Sequence, residues 1–144
     1  MKVEDCLKEG LLAKAMPSLE KARSSVRMAE HKLELALKEL KHEIFENAVV
    51  SAYASMFHSA RALLFKDGFK ERSHFAVFVY VNEKYSGRIE RKYINELNSL
   101  RLQRHDLMYG LEKSAEIQKT EAESAIQMAK GFLESIKKIL QEKS

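Results

Sequence analysis

The stretch Asn47–Gly68, NAVVSAYASMFHSARALLFKDG, decides the fold because it is apolar on nearly every side. At about 100° per residue, Val49, Ala52, Tyr53, Met56, Ala60, Leu63 and Leu64 fill one broad face, and Val50, Ala54, Phe57 and Phe65 fill much of the rest. A helix with that distribution is surrounded by other helices. Ser51, Ser55, His58 and Ala62 form a narrow seam of small or weakly polar groups along which another backbone can come close. Gly68, after Lys66 and Asp67, is the expected stop.

Upstream, Leu19, Ala22, Val26, Ala29, Leu33, Leu37, Leu40 and Ile44 keep one apolar stripe opposite Lys21, Arg23, Arg27, Glu34, Lys38 and Glu39. This predicts a long amphipathic helix, opened by Ser18 as N-cap and returned by a short turn near His42 to Glu46, hence antiparallel to the central one. Before Pro17, the spacing of Leu7, Leu11, Leu12 and Ala15 predicts a short first helix from Val3 to Ala15, interrupted by Gly10 and acting as a lid, not a core element.

Downstream, FKERS reads as a charged loop that ends in Ser73, an N-cap for HFAVFVYVNEKY. That segment would suit a buried strand by propensity. With no second strand to pair with, its backbone donors would be stranded, so a buried helix ending at Gly87 is expected. Ile89, Tyr93, Leu97, Leu100 and Leu107 or Met108 mark a further helix running out near Gly110. Ser114 opens the last, whose stripe runs from Ala115 through Ala122, Ala125, Ala129, Phe132, Ile136 and Ile139 to Leu140. The expected class is all-α: one domain over 1–144, with a short amino-terminal helix in 1–16 and an antiparallel four-helix bundle in 18–141.

The sole cysteine, Cys6, has nothing to pair with inside the chain, which suits a reducing interior. The amino terminus MKVEDCLKEG carries acids where a signal peptide needs an apolar run, and no segment approaches about 18 uninterrupted apolar residues. A cytoplasmic protein with no membrane association is expected. The net charge is +4, and its placement is uneven, with ten Lys and Arg against five Asp and Glu between Arg61 and Arg104. That excess permits a phosphate-bearing partner, although a solvated basic face is the plainer reading.

Two Glu-x-x-His pairs, Glu39 with His42 and Glu71 with His74, have the spacing of di-metal ligands in helical bundles. Neither pair falls in the middle of a helix, and the central helix lacks the inward glutamates such a centre needs, so no metal is expected. No Gly-rich phosphate loop or nucleophile elbow is present, and no cofactor is expected. His58 reads more simply as a satisfied core histidine than as a base, and His74 as a residue that fixes the loop at Ser73. In RLQRHDLMYG, from Arg101 to Gly110, Arg101, Arg104 and His105 crowd the last turns of a helix, where their charge suits its carboxyl end. The same groups also suit phosphodiester chemistry, with guanidinium stabilising charge and imidazole moving a proton. On a continuous helix Arg101 and Arg104 lie about 60° apart and His105 about 40° from Arg101, so the three can face one target, with the phenol of Tyr109 nearby.

AYASMFHSARALLFKDG from Ala52 resembles the Tyr-x-x-Met-Phe-His-x-x-Arg-x-Leu-Leu segment of the HEPN superfamily (higher eukaryotes and prokaryotes nucleotide-binding), especially its small stand-alone prokaryotic and archaeal members. Ser73-His74 and the arginine-bearing RLQRHDLMYG extend the resemblance over almost the whole chain. It implies an antiparallel helical bundle that commonly forms a homodimer, binds nucleotide or RNA, and is often encoded beside a minimal nucleotidyltransferase in toxin–antitoxin pairs. The phosphate-binding set expected here is Arg101, Arg104, His105, Tyr109, His58 and His74, the first four being the catalytic candidates. Many members are metal-independent ribonucleases carrying Arg, four to six residues, then His. Here Arg101 and His105 have three residues between them, and Arg104 is followed after four by Tyr109. A tyrosine with an ordinary pKa of about 10 is a poor base near neutrality, so binding is expected to outlive catalysis. An active ribonuclease toxin and a non-catalytic protein-interaction subunit are the alternatives.

Overall fold

The computed structural model describes residues 1–110 and 116–142. Its element order is α1 (Val3–Lys8), β1 (Leu12–Lys14), α2 (Leu19–Lys41), α3 (Phe45–Asp67), β2 (Phe69–Glu71), α4 (His74–Tyr85), α5 (Arg91–Tyr109) and α6 (Lys119–Gln141). The fold is an all-α bundle. The apolar character of α3 places it at the centre, against α2, α4, α5, α6 and β2. Tyr53, Met56, Leu63 and Leu64 are all but completely buried in it. Phe57 is only half-buried, on the side that turns toward α4.

The seam on α3 meets α2. Ala22, Ser25, Ala29 and Ala36 are the buried residues of α2, whereas Leu19 and Leu37 on the expected stripe are about half exposed. Small side chains on both helices let the backbones approach, and the Ser55 hydroxyl donates to the Ala29 carbonyl at 2.8 Å. Ser18 caps α2 by accepting from the Lys21 amide at 3.1 Å. Ser73 does the same for α4, accepting from Ala76 at 3.0 Å. The apolar run after Ser73 is therefore a helix, as its lack of a strand partner required.

The expected helix from Val3 to Ala15 is corrected. α1 stops at Lys8, Gly10 turns the chain with φ +74°, and Leu12–Lys14 pairs antiparallel with Phe69–Glu71, matching Leu12 with Glu71 and Lys14 with Phe69. The presumed charged loop FKERS thus holds the second strand. This segment is more than a lid, because Val3, Cys6 and Leu12 are buried in the common core. The Val3 amide ties α1 to α4 by donating to Glu83 at 2.9 Å. Ser114 and Ala115, expected at the start of the last helix, lie outside the described residues. α6 begins at Lys119, with Gln118 as N-cap and Glu121 returning a bond to its amide.

At the carboxyl end of α3, Tyr80 and Tyr85 donate to one oxygen of Asp67, at 2.7 and 2.6 Å. Burial and those bonds to a carboxylate raise both phenols well above their ordinary pKa. The two tyrosines pin α4 to the point where the chain leaves α3 for β2, and that exit places Glu71 and His74.

Candidate functional site

Four elements converge beside the half-buried Phe57: α3, β2, the first turn of α4 and the second half of α5. Phe57 and His74 stack with ring centroids 4.1 Å apart. The Tyr53 hydroxyl lies 2.7 Å from His74 Nδ1, one hydrogen bond whose direction follows the His74 tautomer. From α5, the Arg104 guanidinium lies 5.9 Å from the Tyr53 ring centroid and that of Arg101 lies 5.2 Å from Phe75. Asn98, one turn earlier, accepts from Arg101 at 2.9 and 3.1 Å and holds its fork in place. From α3, Arg61 spans Phe57 and Phe65 at 5.7 and 5.1 Å, and its Nε donates to Glu71 on β2.

The electrostatics follow from that crowding. Burial lowers the His74 pKa, and Arg104, Arg101 and Arg61 lower it further, so the imidazole is neutral at pH 7. Burial pushes the Tyr53 phenol up to about 12 against the opposing pull of Arg104 and Arg101. A neutral imidazole with one nitrogen engaged by a phenol keeps its other nitrogen for one more partner. Half-buried guanidinium groups beside it provide planar donors for a phosphate or carboxylate.

Arg101, Arg104 and His74 therefore share one surface, with Tyr53 behind it. His105 and Tyr109 are exposed near the end of α5, their rings 5.2 Å apart. His58 faces away from this group toward α2, where burial, Arg61, Lys32 and His74 lower its pKa to about 4. Asn98 escapes notice in the sequence, and Tyr53 and Arg61 appear there only as positions of the resembling segment, with no sign of their part in this site. Tyr53 looks like one more core residue of α3, and nothing in spacing reveals that its hydroxyl meets a histidine 21 residues on. The Glu-x-x-His carboxylates are engaged elsewhere: Ser51 donates to Glu39 at 2.5 Å, and Glu71 binds Arg61.

Because His58 is held near 4 when folded and returns to about 6.5 when unfolded, the unfolded chain binds more protons throughout that interval. Its contribution to stability is thus fully present above pH 6.5 and is lost as pH falls toward 4. Allowing for screening at its exposed edge, His58 is expected to account for about 1–2 kcal/mol of that loss. Urea midpoints at pH 7 and pH 5 should differ less in His58→Gln than in the unmodified protein; equal differences would refute the assignment.

Two comparisons bear on this arrangement. The model of the HEPN domain matches residues 22–139. A protein of the archaeon Methanocaldococcus jannaschii named "Putative toxin" is 32% identical over 128 residues, covering 85% of this chain and 91% of that protein. Among the described residues no helix is long and apolar enough to cross a membrane. With the match spanning every helix from α2 to α6 and a relative similar along most of its length, the chain belongs to the HEPN domain family.

Proposed function

We propose that this HEPN protein binds nucleotide or RNA as the partner of a minimal nucleotidyltransferase in a toxin–antitoxin-type pair, with weak or absent ribonuclease activity. The observation that carries the reading is the placement of two half-buried arginines, Arg101 and Arg104, beside the neutral His74. Phosphate fits that set, and the toxin name of the archaeal relative agrees with the biological setting. The weakness of catalysis rests on His105 and Tyr109 being exposed at the end of α5, where among the described residues only their own ring contact holds them.

A specific observation favours the ribonuclease as second reading: His74 is the imidazole that Arg104 and Arg101 crowd, and it is neutral and able to accept a proton. RNA affinity and cleavage at one salt concentration separate the readings across Arg104→Ala, His105→Ala, Tyr109→Phe and His74→Gln. The expected result is affinity reduced at least about tenfold in Arg104→Ala, with cleavage near background throughout. Robust cleavage abolished by His74→Gln or His105→Ala would replace the binding reading with the ribonuclease. Unchanged affinity in Arg104→Ala would remove the arginine surface from the reading, leaving the protein-interaction subunit.

The same end of α5 exposes Leu102, Met108 and Tyr109, each with half or more of its surface in solvent. Leu102 and Tyr109, one heptad apart on the same side of α5, support a homodimer through this face. Light scattering at micromolar concentration is expected to give twice the chain mass, falling toward the monomer in Leu102→Asp. A monomeric mass for the unmodified protein would refute it.

A further inference from the structure

A second cleft lies between α2 and α3, on the His58 side of Arg61. It is an open groove of about 250 Å³ lined by Lys21, Ser24 and Met28 from α2 and by His58, Arg61 and Phe65 from α3, with Ser25 at its base. We infer that this cleft is a phosphate-binding site, separate from the surface around Arg101 and Arg104, in which Lys21, Arg61, His58 and the Ser24 hydroxyl receive one phosphate group.

The lining charges are of one sign. The Phe65 ring carries the Lys21 ammonium at 6.0 Å and the Arg61 guanidinium at 5.1 Å, so one aromatic side chain positions two cations against each other's repulsion. Among the described residues no carboxylate lines the cleft. Glu71 holds Arg61 through Nε, which leaves the two terminal amino groups of the guanidinium as donors. Ser24 accepts from Arg27 at 3.2 Å, and its own hydroxyl proton remains to be donated. Lys21 lies in the first turn of α2, whose amino end adds partial positive charge.

The groups facing His58 report the same field. Lys32 from α2, Arg61 from its own helix and His74 from α4 all oppose its protonation, with Glu71 paired to Arg61 on the far side. A bound dianion reverses the sign of that field and draws a proton onto His58, so binding and protonation are linked. Size limits the ligand. Between its walls the groove, of about 250 Å³, takes a phosphate group and the atoms next to it, while the rest of a larger ligand stays outside. The occupant is free phosphate or the terminal phosphate of a chain that leaves through the open mouth.

The test follows the imidazole resonances of His58 by NMR during titration with inorganic phosphate, with a short 5′-phosphorylated RNA, and with the same RNA bearing a 5′-hydroxyl. The exposed His31 and His42 serve as internal controls. Phosphate and the phosphorylated RNA are expected to move the His58 resonances and raise its midpoint from about 4, while His31 and His42 stay put. The affinity read at His58 is expected to fall at least about tenfold in Lys21→Met, whose side chain is exposed and whose loss leaves the core intact. A response to inorganic phosphate equal to that to the RNA identifies free phosphate as the occupant; a response to the phosphorylated RNA alone identifies a chain terminus. His58 unmoved by all three probes, or an affinity unchanged in Lys21→Met, overturns the site. RNA binding that leaves His58 unmoved refutes this cleft while keeping the surface on α5, and a His58 response to phosphate without RNA affinity does the reverse.

Discussion

Phe132→Ala is expected to destabilise the protein by about 3–5 kcal/mol, because the ring is completely buried where α6 packs on α3 and its removal opens a cavity that helices cannot close. For a domain of this size that corresponds to a fall in Tm of roughly 10–20 °C. Phe57→Ala is expected to cost less than about 2 kcal/mol, since Phe57 is only half-buried and the area withdrawn from water is correspondingly smaller. Its larger effect should fall on ligand affinity, through the loss of the surface on which His74 stacks. Thermal melts of the two variants decide the matter, and equal losses would mean that the face of α3 toward α4 is packed more tightly than its exposure indicates.

Gly68→Ala comes next in size, at about 2–4 kcal/mol. Gly68 ends α3 with φ +88°, in the left-handed region that costs other residues about 1–2 kcal/mol. A Cβ there would also stand 2.9 Å from the Ala15 carbonyl oxygen and 2.9 Å from Pro17 Cγ, so the strap leading from β1 to α2 would have to move away. Gly10 separates the two causes. Its φ is +74°, but among the described residues nothing lies within 4 Å of its Cβ position. Gly10→Ala should therefore show the backbone cost alone, about 1–2 kcal/mol. Urea midpoints that fall equally in both variants would dismiss the steric half of the argument.

These variants mark how far the sequence was legible. α3 could be read directly because its apolar residues surround the helix, a pattern with one structural solution. The helix over His74–Tyr85 could be reached only by elimination, since its β-branched and aromatic residues favour a strand by propensity. The pairing of Leu12–Lys14 with Phe69–Glu71 left no trace in periodicity, because three residues are too few to show an alternation and Leu12 falls equally well on a helical stripe. In the candidate site, Arg101 and Arg104 are legible as neighbours on one helix. His74, Tyr53 and Arg61 join them only through tertiary packing, and so the imidazole whose proton affinity Arg104 and Arg101 depress is not the one adjacent in sequence.

The small sheet has a meaning for the order of folding. Leu12 and Glu71 pair across roughly sixty residues of chain, whereas α2 and α3 meet through a three-residue connection, Lys41 to Phe45. Closing the longer loop before the helices form would lose more chain entropy for fewer contacts, so the α2–α3 hairpin is expected to form first and the strand pairing later. The hydrogen bonds from Ala15 to Gly68 and from Ser18 to Phe65, both at 2.9 Å, then act as a latch fitted to a finished hairpin. Since β2 carries the carboxylate that holds Arg61, the cationic surface is on this order expected to take its working shape last, after the core that supports it has closed.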